Sequence, residues 1–174
     1  MDTTQRQFVS LPSPTAGRNG AGYMPTQGLY HHAAGKRPRT ALIATHYNQC
    51  FAEHYMGELM AARGYGFLGW NTRFRGAEHY FTLENALIDI GVGVRWLREQ
   101  ADVETVVLLG NSGGGSLMAA YQSQATEPNL QPLLGAPVPE AARHLPGCDL
   151  YVSTNAHIGR PEVLTAWFDP SVTD

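Results

Sequence analysis

The sequence contains little cysteine. Cys50 and Cys148 are the only two cysteines in 174 residues, and their separation excludes the C-x-x-C spacing of a zinc site or a redox pair. This usage favours a reducing compartment, and we expect a cytoplasmic protein. The adjacent histidines His31 and His32 lie on an extended segment, where neighbouring side chains point to opposite faces and cannot bind one metal ion together. The sequence therefore predicts no metal and no cofactor.

Long apolar runs and an excess of one charge are also missing. No segment approaches the roughly 18 apolar residues of a membrane-spanning helix, and the first residues lack the basic and then apolar pattern of a secretion signal. Twelve Lys and Arg against 15 Asp and Glu give a formal charge of −3, without a long run of either sign. This balance argues against nucleic-acid binding and against a basic membrane-binding patch. A small neutral molecule is the expected partner.

The apolar content of 43% is sufficient for the core of one domain, which we expect to cover residues 1–174. Residues 1–39 are expected to form an opening hairpin with irregular segments, in which "RQFVSLP" and "GLYHHAA" pair as antiparallel strands. From residue 40 onward, four short β-type segments alternate with helical segments. This alternation predicts an α/β fold with a parallel-rich sheet and flanking helices.

The clearest helix in the sequence is "LENALIDIGVGVRWLREQ", which follows Thr82 as a candidate N-cap. Its apolar side chains recur on one face, which should pack against the sheet; they are Leu83, Leu87, Ile90, Val94 and Leu97. Gly91 and Gly93 interrupt the helix, and each costs about 1 kcal/mol relative to Ala. Their presence suggests that another part of the chain approaches the helix closely there.

The stretch "VVLLGNSGGGSLMAAY", residues 106–121, gives the clearest indication of a catalytic function. A buried strand ends in Gly110-Asn111-Ser112-Gly113-Gly114, which satisfies the G-x-S-x-G pattern, and a helix follows. A serine in such a sharp turn projects its hydroxyl above the sheet, and the flanking glycines let the backbone come close. The pattern predicts Ser112 as a nucleophile and the amide of Gly113 as a donor to the oxyanion that forms on attack.

Three other interpretations of this turn are weaker. A phosphate cradle would need G-x-G-x-x-G or the Gly-Lys-Ser/Thr ending of a P-loop, and neither is present. Ser116 is a rival hydroxyl, but it lies about one helical turn further on and is expected to be structural. The stretches "GNSGG" and "IATHYNQC" are faintly similar to sequences of trypsin-like proteases. Those proteases are all-β, however, whereas amphipathic helices flank the serine in this chain.

These residues resemble the α/β-hydrolase family from about residue 28 onward. The segments "TALIATH", "GFLGW", "VVLLGNSGGGS" and "DLYVSTNAH" resemble its third to sixth strands, so the resemblance implies an incomplete hydrolase fold that lacks the last strands. In this family a second oxyanion donor comes from the loop after the third strand. The matching stretch begins at Thr45, and the resemblance implies that the amide of Asn48, or secondly that of Tyr47, is this donor. His46 is then expected to be a hydrogen-bonding residue that shapes the loop.

The catalytic order of this family is Ser, then Asp or Glu, then His. Downstream of Ser112 the sequence offers His144 and His157 together with Asp149, Asp169 and Asp174. His157 precedes Asp169, which reverses the family order, and neither histidine is the expected base. The partners of Ser112 are thus expected beyond residue 174, in a longer hydrolase of which this chain is a nearly inactive N-terminal part. The exposed edge of the sixth strand would then favour self-association.

The favoured function is a serine hydrolase that cleaves an ester or similar acyl bond through an acyl-serine intermediate. The alternative is a hydrolase-like domain that binds a small molecule or a partner without chemistry. Arg73 and Arg75 are expected to be hydrogen-bonded or solvated loop residues rather than ligands of an acidic substrate. Trp70, Tyr47 and Phe51 are equally candidates for an acyl pocket and for the core.

Overall fold

A computed structural model of the protein describes residues 3–15, 25–132, 137–168 and 171. Within these residues, six strands form a single sheet in the order β1-β2-β4-β3-β5-β6. The strands are β1 (Thr4–Leu11), β2 (Thr26–Ala33), β3 (Thr40–Ala44), β4 (Gly66–Asn71), β5 (Thr105–Asn111) and β6 (Leu150–Thr154).

The helices between the strands are α1 (Met56–Ala61), α2 (Leu83–Glu99), α3 (Gly114–Thr126) and α4 (Arg160–Phe168). Two short 3-10 helices, Glu78–Tyr80 and Glu140–Arg143, interrupt the connections. The alternation of β-type and helical segments after residue 40 is therefore present in the structure as the sequence predicts.

The sheet is antiparallel at one end and parallel over the rest. β1 pairs antiparallel with β2, as expected for the opening hairpin, and β2 pairs antiparallel with β4. β3 then lies between β4 and β5, and both pairings are parallel, as is that of β5 with β6. This arrangement confirms the predicted α/β fold with a parallel-rich sheet.

Two apolar clusters cover the two faces of the sheet. The larger one joins the sheet to α2 and α3, and the smaller one includes Phe51 and Phe67 and packs against α1. Four of the five apolar residues predicted for the inner face of α2 are buried, whereas Leu83 in its first turn is exposed. The predicted close approach occurs at Gly93, where a Cβ atom would lie 2.8 Å from Cδ1 of Ile43.

β6 forms the parallel edge of the described sheet, and its side chains are largely exposed. Leu150 and Val152 retain 58% and 44% of their accessible surface, while α4 exposes Trp167 and Phe168. Among the described residues, no helix has the length and apolar character that crossing a membrane requires.

Candidate active site

The turn between β5 and α3 holds Ser112 in a rare backbone conformation. Its φ angle is +53°, in the left-handed region that residues with a side chain seldom adopt. β5 ends at Asn111 and α3 begins at Gly114, so the serine occupies the turn between a buried strand and a helix N-terminus. This conformation is the one that the G-x-S-x-G pattern requires for a projecting nucleophile.

The glycines of this turn leave room for neighbouring backbone. A Cβ atom on Gly114 would lie 2.2 Å from the carbonyl oxygen of Thr45, in the loop after β3. A Cβ atom on Gly110 would lie 2.9 Å from the Cα atom of Gly115. No side chain fits at either position without moving the backbone, so these glycines allow the loop after β3 and the start of α3 to converge on Ser112.

The structure places His157 beside Ser112. Their Nε2 and Oγ atoms are 3.4 Å apart, which is just longer than a good hydrogen bond and is common for a nucleophile and base without a bound substrate. The sequence argument against His157 as the base rests on chain order. The structure brings the two side chains together because the segment after β6 ends next to the turn after β5.

Two of the three predicted oxyanion donors, the amides of Gly113 and Asn48, converge on the imidazole of His46. The amide of Gly113 donates to Nε2 at 3.1 Å, and the amide of Asn48 donates to Nδ1 at 3.2 Å. His46 also stacks on the ring of Tyr47, with ring centroids 4.6 Å apart. The side chain of His46 therefore links the loop after β3 to the N-terminus of α3.

His46 is uncharged at neutral pH. Burial lowers the pKa of His46 to about 4, and a side-chain hydrogen bond with Asn48 opposes this effect only in part. A neutral imidazole has one acceptor nitrogen, because its other nitrogen carries hydrogen. His46 can thus accept from Gly113 or from Asn48 but not from both at once. At any moment one of the two amides is left for another acceptor.

An apolar cleft of about 360 Å³ opens next to Gly113. Its walls come from the loop after β3, the segment before α2 and one side of α3, and it is lined by Tyr47, Glu78, Phe81, Leu83, Gly113, Ser116, Leu117 and Ala120. A smaller cavity of about 30 Å³ is also lined by Tyr47 and Gly113, together with His157 and Trp167. Ser116 borders both spaces, and its Oγ atom lies 3.5 Å from the carbonyl oxygen of Gly113. The hydroxyl of Ser116 therefore contacts the backbone of its own helix turn, and this turn of α3 faces the cleft.

Other residues considered from the sequence have structural positions. Arg73 is buried and forms a hydrogen-bonded ion pair with Asp89, which agrees with its expected role as a hydrogen-bonded residue. Arg75 pairs at 2.8 Å with Glu78. Trp70 and Phe51 are core residues, and of the three candidate aromatic residues Tyr47 alone lines the cleft. Among the described residues, no group of three or more His, Cys, Asp or Glu is arranged to hold a metal ion.

The candidate acids and the second histidine lie away from Ser112 or outside the described residues. Asp149 precedes β6 and accepts hydrogen bonds from the amide of Val106 and from Arg98, at the opposite end of the strands. His144 is exposed and pairs with Glu140. Asp169 and Asp174 lie outside the described residues. Within the described part of the chain, no carboxylate hydrogen-bonds to His157.

No family model and no curated protein matches the chain. Among solved structures, the chain matches esterase Est22 with a TM-score of 0.57 and 16% identity, over 71% of this chain and 39% of that one. It matches a bacterial heroin esterase with a TM-score of 0.57 and 14% identity, over 76% of this chain and 43% of that one. The match to brefeldin A esterase, a bacterial homologue of human hormone-sensitive lipase, has a TM-score of 0.52 and 18% identity, over 72% of this chain and 37% of that one.

These matches define the class of fold. The strand order, the turn after β5 and the likeness to solved esterases show that the chain has an α/β-hydrolase fold. The chain spans about two fifths of the length of the solved esterases that it matches.

Proposed function

We propose that this chain carries the nucleophile of a serine hydrolase that cleaves ester or similar acyl bonds. The observation that carries this proposal is the conformation of Ser112, a non-glycine residue at φ +53° between a buried strand and a helix. A protein retains such backbone strain where the surrounding structure enforces it, most often at functional sites. The fold of known esterases supports the same chemistry.

The reaction begins when the Oγ atom of Ser112 attacks the carbonyl carbon of the substrate and forms an acyl-serine intermediate. The amides of Gly113 and Asn48 are the donors for the oxyanion, and the N-terminus of α3 adds a favourable dipole. Because both amides face His46 in the structure, oxyanion binding requires both of them to turn from the imidazole to the oxyanion. A donor of this type contributes about 3–4 kcal/mol to catalysis.

The cleft beside Gly113 suggests the kind of substrate. Its walls are mostly apolar, and its volume of about 360 Å³ lies within the range of sites for small organic molecules. An uncharged apolar acyl or alcohol group fits this chemistry. One structure of esterase Est22 is of a complex with p-nitrophenol, so p-nitrophenyl esters of short acids are a reasonable first choice of assay.

The alternative function is a binding domain without chemistry. The hydrogen bond from Gly113 to His46 favours it, because an oxyanion donor that already has an acceptor is not free for a reaction. In that case the cleft would bind a small molecule, and Ser112 would show no special reactivity.

A fluorophosphonate probe and p-nitrophenyl butyrate distinguish the two functions. The proposal predicts covalent labelling of the wild-type chain that is lost in Ser112→Ala and kept in Ser123→Ala, an exposed serine on α3 that serves as the matched control. Ester hydrolysis above the buffer rate should follow the same pattern. Labelling that survives in Ser112→Ala but disappears in Ser116→Ala would show that Ser116 is the nucleophile and would contradict the proposal.

A further inference from the structure

The segment that follows β6 is fixed to the turn at Ser112 by main-chain hydrogen bonds. The amide of Ser112 donates to the carbonyl oxygen of Asn155 at 3.1 Å, and the amide of His157 donates to the carbonyl oxygen of Ser112 at 3.0 Å. These two bonds continue the parallel ladder of β5 and β6 beyond the last strand residues. The backbone of His157 is thus held next to Ser112 independently of its side chain.

Side-chain packing supports the same placement. The Nδ2 atom of Asn111 donates to the carbonyl oxygen of Thr154 at 3.0 Å. Gly115 lets the segment lie directly on α3, since a Cβ atom there would be 2.2 Å from the Cβ atom of Ala156. The ring of Trp167 from α4 meets the imidazole of His157 edge-on, with centroids 5.9 Å apart. Contacts from β5, α3 and α4 therefore all orient the segment that carries His157.

We propose that His157 is the general base that activates Ser112, so that this chain contains a Ser–His pair of its own. The inference rests on the proposed function. The Nε2 atom of His157 lies 3.4 Å from Oγ of Ser112, a distance that is common for a base and a nucleophile before a substrate binds and shortens the contact. The position is unexpected, because the resemblance to α/β-hydrolases implies a histidine that follows a later strand than β6.

The proton then moves as follows. Oγ of Ser112 bonds to the carbonyl carbon while its proton passes to Nε2 of His157 and the carbonyl electron pair moves onto oxygen. When the oxyanion collapses, the bond from carbon to the alcohol oxygen breaks, and that oxygen takes the proton from Nε2 and leaves as the alcohol. Water then attacks the acyl-serine and gives one proton to Nε2, which returns it to Oγ as the carboxylic acid departs.

Neither His46 nor His144 competes for this role. Both ring nitrogens of His46 face backbone amides rather than the hydroxyl of Ser112. His144 is exposed and pairs with Glu140. The groups around His157 are the uncharged His46, the ring of Trp167 and, along the same surface cleft, Glu162. His157 is the histidine whose ring nitrogen faces Oγ.

The test measures the rate at which Ser112 reacts with a fluorophosphonate in the wild type and in three variants. We expect His157→Gly, and His157→Gln with its larger side chain, to react at least about 100-fold more slowly than the wild type, because each variant lacks the general base. His144→Gly, the matched control, should react at the wild-type rate. Added imidazole should restore part of the rate in His157→Gly, which the loss of a merely structural side chain would not allow. Far-UV circular dichroism checks that each variant is folded.

The outcomes separate this inference from the proposed function. Labelling of Ser112 at equal rates in the wild type and both His157 variants would overturn the role of His157 and leave the nucleophile in place. A slow rate in His157→Gly without rescue by imidazole would also overturn the role of His157. A wild type that does not react, or labelling that does not depend on Ser112, would overturn the proposed function itself.

Discussion

β5 and β6 are neighbours in one parallel ladder, yet their surroundings differ. The central residues of β5 are buried on both faces, whereas nearly every residue of β6 is exposed. Ser112 follows the buried strand and His157 follows the exposed one. The site therefore lies on the boundary between a well-packed part of the molecule and a thinly covered edge.

This difference has consequences for the two halves of the site. The turn at Ser112 is fixed by a core strand, by α3 and by the loop after β3, all of which contribute buried contacts. His157 depends on the ladder to β5 and on the ring of Trp167. Elements with few buried contacts open locally at low free energy. We expect the nucleophile to stay in place under conditions that displace the base.

The largest contrast should come from one ion pair in each region. Asp89 and Arg73 are both buried, and Asp89→Asn would leave the guanidinium without its charge partner, at a cost of about 3–5 kcal/mol in the free energy of unfolding. Asp149 and Arg98, which hold the start of β6, are partly exposed, and Asp149→Asn should cost about 1 kcal/mol or less. Urea unfolding measures both. Equal losses would mean that the two regions are equally well packed.

A matched pair of leucines sharpens the contrast between the strands themselves. Leu108 in β5 is fully buried, so Leu108→Ala should destabilise the protein by about 2–5 kcal/mol through lost contacts and a cavity. Leu150 in β6 is 58% exposed, and Leu150→Ala should change stability by about 0.5 kcal/mol or less. A large loss in Leu150→Ala, seen in the same denaturant titration, would show that β6 is covered in solution.

Acid should weaken the packed region before the carboxylates titrate. Burial lowers the pKa of His46 to about 4 and also lowers the pKa values of His31 and His54. In the unfolded chain, histidines take up protons near pH 6.5, so the unfolded state binds more protons below that pH. Stability should be fully present above about pH 6.5 and fall progressively as the pH is lowered toward 4.

Thermal unfolding between pH 7.5 and pH 4 checks this expectation. The transition temperature should fall with pH, and His46→Gln should reduce the slope because one of the three groups no longer titrates. A transition temperature that stays constant across this range, or the same slope in His46→Gln, would contradict the assignment of buried neutral imidazoles.

The smallest effect concerns association through the exposed edge. If β6 pairs with a second copy, a charge on it should discourage the contact, and Val152→Lys should reduce concentration-dependent association in sedimentation velocity. Phe8→Lys on β1, at the other edge of the described sheet, is the matched control and should change nothing. If Phe8→Lys reduced association and Val152→Lys did not, the contact would lie at the β1 edge, and the prediction for β6 would be wrong.

Local signals in the sequence were sufficient for most of the fold. The apolar periodicity of α2, the continuous apolar run of β5 and the glycines around Ser112 each predict a local conformation that the structure contains. The unusual φ angle of Ser112 follows from the same pattern. These features depend on residues close together in the chain, which is why sequence reasoning predicts them.

Several contacts between side chains and distant residues were not predicted. The placement of His157 depends on the register of β6 against β5 and on the turn at Asn155, neither of which has a sequence signal as clear as the glycine turn. The contact of His46 with Gly113 joins residues 67 positions apart. The charged partner of Arg73 likewise lies on another element, α2, and is Asp89. Contacts between side chains on different helices and strands are therefore seen in the structure but could not be predicted from the sequence.

The most direct measurement of the central claim is the site of covalent modification in the wild-type chain. After reaction with a fluorophosphonate, digestion and tandem mass spectrometry should place a single adduct on the peptide that contains Ser112, with the added mass on that residue. An adduct on Ser116 or on another residue, or no adduct on this peptide after prolonged reaction, would contradict the account.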